Sequence, residues 1–346
     1  MKKIYCILVS AILIGLIILL AWNFVSNKEK KYEVEKINNI SVAYNIQLIS
    51  SLPIVVAQEK GFFLKQGLDV KLIDLGGTES MTALSVGQVD VASIGITTLL
   101  SFIDKGVPVK AFSPSSISKM GVYVRGDSNI KKLEDIIGKV VSVRGNSGRG
   151  LALKYALRKE GLDYNKIEFA GIDETYEAIA LLEKKSVDAI IPIDSDYSQY
   201  GDRVMALPGW FEKGYAENPS GMVVFSSQED YLNKNSVIIR KFLLALIETQ
   251  KYIKENPQGT SQAFSEFVKK ETLGAIDYTP DVVQEKIERG DIKFYSWVNP
   301  TMFSDVANIS YETETIKNKL TEKNIFDGQF TDLLLNAQGE IYDGIN

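Results

Sequence analysis

From Ile40 onward the chain alternates short β-branched runs with amphipathic segments, and this alternation constrains its fold more than any other feature. Ile40–Tyr44 (ISVAY), Leu68–Leu75, Val89–Ile94 and Val107–Phe112 read as strands, separated by helices over Pro53–Gln66, Thr78–Val86 and Thr97–Lys105. Pro53 marks a helix start, because the N–H it lacks would have no partner in the first turn. The pattern restarts after a crossing run, Gly121–Arg125 (GVYVR). Strands over Lys139–Val143, Lys166–Ala170 and Val187–Ile191 then alternate with helices over Gly148–Glu160 and Asp173–Lys184, and Gly221–Phe225 (GMVVF) reads as a returning strand. Beyond Asn235 the pattern is mostly helical: Ser236–Glu255, Gly259–Lys270, Pro280–Arg289 and Ser304–Glu322. Strands that alternate with helices pair in parallel through helical crossovers, which gives a layered α/β fold. Two such sets joined by two crossings predict two lobes with a cleft between them, the usual place for a ligand.

The amino terminus is of a different kind. No residue from Ile4 to Trp22 is charged, and about nineteen helical residues span a hydrocarbon core of roughly 30 Å. A cleaved signal would need a small residue on each side of the cut, and Ala21-Trp22-Asn23 serves poorly. The reading is therefore a transmembrane anchor or signal over residues 1–25, followed by a polar stalk over 26–39. Lysines flank the apolar run on both sides, at Lys2 and Lys3 and again at Lys28, Lys30, Lys31 and Lys36, so the positive-inside rule leaves its orientation open.

Composition removes much of the available chemistry. The 346 residues include no histidine and a single cysteine, Cys6, within the apolar run. Catalytic triads and dyads built on histidine, imidazole-ligated zinc, cysteine clusters and intrachain disulfides are all excluded. Acidic residues outnumber basic ones, 44 to 39, with no basic stripe, so nucleic acid is not an expected partner. No cofactor or metal is expected.

Three stretches carry a resemblance when taken in order: Ala57–Val70 (AQEKGFFLKQGLDV), Gly76–Gly95 (GGTESMTALSVGQVDVASIG) and Val122–Leu162, which contains VRGNSGRGLALKYALRKEGL. Together they resemble solute-binding proteins of the nitrate/sulfonate/taurine and thiamine-pyrimidine type, which serve ATP-driven (ABC) importers. The resemblance implies a two-lobed, periplasmic-binding-protein-like clamshell of type II, here preceded by the transmembrane helix. Lobe one would hold residues 40–121 plus 226–346, and lobe two 122–225. It further implies a monomer at the outer face of the cytoplasmic membrane, held there by the anchor, with ABC permease subunits as partners. The ligand would be a sulfonate, taurine, nitrate or a pyrimidine-like molecule.

The candidate ligand-binding residues lie where predicted strands end. Gly145–Gly150 (GNSGRG) precedes a helix whose first N–H groups lack partners and can hold an anion. It contributes Asn146, Ser147 and Arg149, though a flexible turn capped by Ser147 would read the same way. Gly76, Gly77 and Thr78, and Gly95 with Thr97, repeat the arrangement in lobe one, with simple capping by Thr78 and Thr97 as the alternative. Asn45, Gln47, Ser50 and Ser51 follow the first strand and could hydrogen-bond a ligand. Asp194 and Asp196 follow Val187–Ile191, where carboxylates would oppose a simple anion and suit an ammonium group. Tyr197, Tyr200, Trp210, Phe211 and Tyr215 form an aromatic stretch that could wall a ligand or pack within the lobe.

Catalytic patterns are weak. Ser116–Lys119 and Ser128–Lys131 both match S-x-x-K, but the S-D-N and K-T-G companions are absent. Fungal relatives of the pyrimidine-binding group include enzymes that consume one of their own histidines, and this chain has none. The expectation is a receptor and not an enzyme. A ligand-sensing ectodomain of the same fold and a carboxylate-dependent enzyme stand as alternatives.

Overall fold

The computed structural model describes residues 37–172, 175–192, 198–211, 213–214, 219–276 and 278–342. The chain divides into two compact units, residues 1–38 and 39–346, and the fold described here is that of the second. It opens with β1 (Asn38–Tyr44), α1 (Leu52–Glu59), α2 (Phe62–Lys65), β2 (Leu68–Asp74), α3 (Gly77–Ser85), β3 (Val91–Gly95), α4 (Ile96–Asp104) and β4 (Val109–Ser118). A second set follows: β5 (Tyr123–Arg125), β6 (Val140–Ser142), α5 (Gly148–Lys159), β7 (Glu168–Phe169), α6 (Thr175–Glu183), β8 (Ala189–Ile190) and β9 (Val204–Ala206). The chain returns through β10 (Met222–Gln228) and continues as α7 (Glu229–Lys234), α8 (Ser236–Glu255), α9 (Pro257–Glu271), α10 (Pro280–Glu288), β11 (Ile292–Phe294), α11 (Thr301–Glu312), α12 (Glu322–Ile325) and α13 (Thr331–Tyr342).

Two sheets result. The lobe one sheet has the order β11-β4-β10-β3-β1-β2, and the lobe two sheet β7-β6-β8-β5-β9. β1 and β3 are parallel, as are β6 with β7 and with β8, while β10 runs antiparallel between β3 and β4. Both faces of the lobe one sheet are covered. Ile40, Val42, Phe112 and Phe225 point to a core shared with α1, α8 and α9, whereas Ala43, Ala92, Ala111 and Val224 point to one shared with α3, α4 and α11. In lobe two the sheet likewise packs α5 on one face, through Leu153, Ala156 and Leu157, and α6 on the other, through Ala178, Ile179 and Leu182. The two-lobed α/β clamshell expected from the sequence is thus present.

The expected transmembrane helix is a correction. No helix among the described residues is long and apolar enough to cross a membrane, and residues 1–25, on which that expectation falls, lie outside the described residues. The fold class is the clamshell alone. Membrane attachment through an N-terminal helix is dropped with it, and the outer-face localisation that the resemblance implied is not carried further.

Other departures have local causes. The single helix expected over Pro53–Gln66 is two, because Gly61 takes a left-handed φ of 72° between α1 and α2. The helix expected over Ser304–Glu322 stops at Glu312, where Glu314 adopts φ 56°. β4 runs well past Phe112 despite Pro114, since register shifts against β10 leave Ser115 and Phe112 as extra residues, and a bulge tolerates a proline that a regular central strand would not. β9 and β11 are too short for a pattern to announce. The two crossings lie close together: a Cβ on Gly221 would be 2.7 Å from the Ser118 carbonyl oxygen, so only glycine fits there.

Candidate functional site

The carboxyl ends of β1, β2 and β3 bring three expected loops to one edge of lobe one. The Leu75 N–H donates to the Tyr44 carbonyl at 2.8 Å, and the Ile46 N–H to Asp74 Oδ1 at 2.9 Å, which joins the first loop to the second. Within that first loop Asn45 Oδ1 accepts the Gln47 N–H at 2.9 Å, and Ser51 donates its hydroxyl to the Leu48 carbonyl at 2.7 Å. These two side chains hold the loop's shape. Gln47 is exposed, and its carbonyl accepts the Tyr278 hydroxyl at 2.7 Å. Ser50 is buried. Burial, then the charges of Asp74 and Glu271, push the Tyr44 phenol well above its usual range, so it stays neutral at this edge.

Neither threonine is a cap. α3 begins at Gly77 with Gly76 as its N-cap, and α4 begins at Ile96 with Gly95 as its N-cap. Thr78 and Thr97 are each one residue inside their helices. At α3 the Glu79 carboxylate accepts the Gly76 N–H at 3.1 Å, so a negative charge already faces that helix start. α4 and α5 have no acidic residue in their first turns.

The glycines of Gly145–Gly150 are there for close approach and not for flexibility. None has a positive φ. A Cβ on Gly150 would be 2.3 Å from the Arg144 carbonyl oxygen, and one on Gly148 would be 2.6 Å from the Ser220 carbonyl oxygen. Ser147 is the N-cap of α5, the alternative open from the sequence: its Oγ accepts the Gly150 N–H at 3.2 Å and donates to the Arg144 carbonyl at 2.7 Å. Asn146 is exposed. The Arg149 guanidinium donates to the Ile191 carbonyl at 2.8 Å, which ties the first turn of α5 to the end of β8 and places a positive charge there.

These pieces meet across the cleft. A Cβ on Gly77 would be 3.9 Å from Thr98 Oγ1, and one on Gly148 would be 3.7 Å from Thr97 Oγ1. The starts of α3 and α4 from lobe one and of α5 from lobe two are therefore neighbours. Thr97 is 9% exposed and stands where the starts of α4 and α5 meet. Partial positive charge from aligned peptides sums at such helix starts, and here it does so from both jaws.

Asp194, Asp196, Tyr197 and Tyr215 lie outside the described residues, as does the side chain of Tyr200. Trp210 is core: it is 1% exposed and its indole N–H donates to the Met120 carbonyl at 2.6 Å. Phe211 is exposed. Sequence reasoning missed Ser220, whose backbone closes on Gly148 from a turn with no pattern of its own. It also missed Leu151, which it assigned to lobe two and which packs into the core of lobe one. Among the described residues no group of His, Cys, Asp or Glu could hold a metal ion.

Comparison with known proteins gives relatives in sequence and in fold. A "Putative thiamine biosynthesis protein" of Haemophilus influenzae is 30% identical over 61% of this chain and 67% of its own length. The taurine-binding periplasmic protein of Escherichia coli is 23% identical over 63% of this chain and 68% of its own. Among solved structures, the alkanesulfonate-binding protein SsuA from Xanthomonas axonopodis pv. citri bound to MOPS superimposes with a TM-score of 0.66 at 15% identity, over 84% of this chain and 99% of that one. That likeness shows the shared fold. The pattern described as NMT1/THI5 like matches residues 49–260, well over half of the chain, and the protein belongs to the NMT1/THI5-like family of the periplasmic-binding-protein fold.

Proposed function

We propose that the protein captures a small ligand with an anionic group, of the sulfonate or taurine class, and delivers it to an ABC importer. The observation that carries this reading is the meeting of α4 and α5 at their amino-terminal ends, one from each lobe, with the Thr97 hydroxyl between them. A sulfonate oxygen there would accept N–H groups from both jaws at once. Only a ligand that touches both lobes favours the closed arrangement, since an equilibrium shifts by differential affinity alone. Glu79 shields the start of α3, so an amine at the other end of a taurine-like ligand would be tolerated on that side. The role is capture without turnover.

The test is a thermal-shift and calorimetry panel of taurine, a short alkanesulfonate, nitrate and an uncharged aminopyrimidine. A ligand at one hundred times its Kd stabilises by about 2.7 kcal/mol, so a sulfonate should raise the unfolding temperature clearly and be recovered unchanged by mass spectrometry. Thr97→Val should weaken that binding by about 1 kcal/mol, with little effect on the free protein. Binding of the aminopyrimidine with none of the anions would refute the ligand class. Chemical conversion of the bound ligand would refute the receptor role.

A further inference from the structure

Helix α5 faces both lobes. Leu153, Ala156 and Leu157 pack on the lobe two sheet. Leu151, fully buried, and Tyr155, partly buried, pack instead against the lobe one core that contains Ile96, Met222 and Phe303. Leu151, Tyr155 and Arg158 are spaced four and three residues apart, so they share one stripe of the helix. At its far end the Arg158 guanidinium pairs with the Glu312 carboxylate, and the Tyr164 hydroxyl donates to the Glu312 carbonyl at 3.0 Å. Glu312 is the last residue of α11 in lobe one. Beside this contact Lys154 lies over the rings of Tyr164 and Phe169, at 5.7 and 5.5 Å from their centroids. Burial lowers its ammonium pKa, against the opposing charge of Glu314.

The amino-terminal end of this same helix carries Ser147, Gly148 and Arg149 into the cleft. A helix of this length moves as a rigid rod, so what fixes its carboxyl end also fixes the cleft wall. We infer that Arg158, Tyr164 and Glu312 are positioning residues for ligand capture: they seat α5 on α11, and through it hold the lobe two wall of the cleft in the closed arrangement. The inference rests on the capture reading of the cleft, but its first readout needs no ligand. Leu151 supplies the apolar seat. The ion pair and the tyrosine bond set where the helix comes to rest.

The experiment uses spin labels on one exposed site of each lobe and measures the interlobe distance in the unliganded protein, with taurine binding measured in parallel. Exposed pairs of this kind shift an equilibrium by about two- to fivefold. Arg158→Glu, which places like charges together, should therefore populate a longer distance and weaken taurine binding by roughly three- to tenfold. The swapped double variant R158E/E312R should restore both to within about twofold, which a general loss of stability would not do. Tyr164→Phe should move both in the same direction by a smaller amount. An unchanged distance in R158E overturns the inference, whether or not the unfolding temperature falls. A longer distance that the swap does not restore overturns it too. If the wild type binds no taurine but the distance lengthens and is restored as described, the positioning role stands and the proposed ligand falls.

Discussion

The two lobes meet the same layering requirement at different scales. In lobe one β1, β2 and β10 are seven residues long and β4 is ten, and helices from both halves of the chain cover the two faces of the sheet. In lobe two each described strand has two or three residues. Short strands supply few ladder bonds and little buried face, so lobe two depends on a few large side chains and on its neighbour. Trp210 closes its inner core, and Leu151 leaves that core altogether for the one opposite. A broad, multiply covered lobe thus carries a smaller one whose order is partly borrowed. This asymmetry suits a clamp, in which one jaw is the platform and the other moves.

The largest expected effects separate the jaws. Trp210→Ala and Phe242→Ala each remove a fully buried ring, and each should cost about 3–5 kcal/mol. Phe242 stacks on Phe63 with centroids 5.3 Å apart and meets Phe225 edge-on at 5.4 Å, so its loss should loosen lobe one and, through it, the whole unit. Loss of Trp210 should expose lobe two amides to hydrogen exchange while β1 and β3 stay protected. Equal loss of protection in both lobes for Trp210→Ala would show that they unfold as one, and would break the comparison.

Next comes the boundary between them. A methyl group at Gly148 would press on the Ser220 carbonyl at 2.6 Å, an overpacking that costs about 1–3 kcal/mol. The lobes can escape it by parting. Gly148→Ala should therefore weaken ligand binding by about tenfold or more at that cost and enlarge the protein in small-angle scattering, with a smaller change in the urea midpoint. If the midpoint fell and the size did not change, the contact would be structural and independent of closure.

The difference between the lobes also explains what the sequence disclosed. Buried strands such as Ile40–Tyr44 announce themselves as short apolar, β-branched runs, and the helices between them by period. In lobe two the expected strands Lys139–Val143, Lys166–Ala170 and Val187–Ile191 shrink to Val140–Ser142, Glu168–Phe169 and Ala189–Ile190, with single backbone bonds such as Gly171 N–H to the Val143 carbonyl continuing past their ends. The glycines of Gly145–Gly150 were visible as a motif. The reason for Gly148 was not, since its contact with Ser220 joins positions far apart in the chain. Leu151 was misassigned because one helix carries two apolar stripes, and a single sequence does not say which stripe faces which neighbour. Gly76 and Gly95 were visible as glycines, but the pattern left capping by Thr78 and Thr97 open, and the glycines themselves are the caps.

Those caps allow a finer comparison of the jaws. α3 and α4 start from glycine, and α5 starts from Ser147, which occupies the Gly150 N–H. Ser147→Ala should destabilise by about 1 kcal/mol, and Ser147→Gly by only a few tenths, as measured by denaturant unfolding. Both variants would also free one more N–H at the cleft, that of Gly150. Taurine binding at least as tight as wild type in both variants would assign the helix start itself to the site. Equal losses in both would assign the serine hydroxyl instead.

The smallest effect belongs to the platform. Asp104, at the end of α4, accepts the N–H groups of Lys317 and Asn318 at 3.0 and 2.7 Å and the Asn318 amide at 2.9 Å, fastening lobe one to the segment after α11. Burial alone would raise its pKa, but these hydrogen bonds and the Lys317 charge outweigh it and hold the carboxyl below its ordinary value. A carboxylate whose folded pKa is depressed contributes stability that is fully present above its unfolded pKa of about 3.9 and is lost as pH falls through the folded value. The wild type should therefore be more stable than Asp104→Asn by a constant margin near neutrality, and that margin should shrink below about pH 4. The site is in contact with water, so screening keeps the margin small and raised salt should reduce it further. Urea midpoints for the two proteins across this range measure it directly. A margin that persisted undiminished in acid would mean that the fastening works through the shape of the Asp104 side chain and not through its charge.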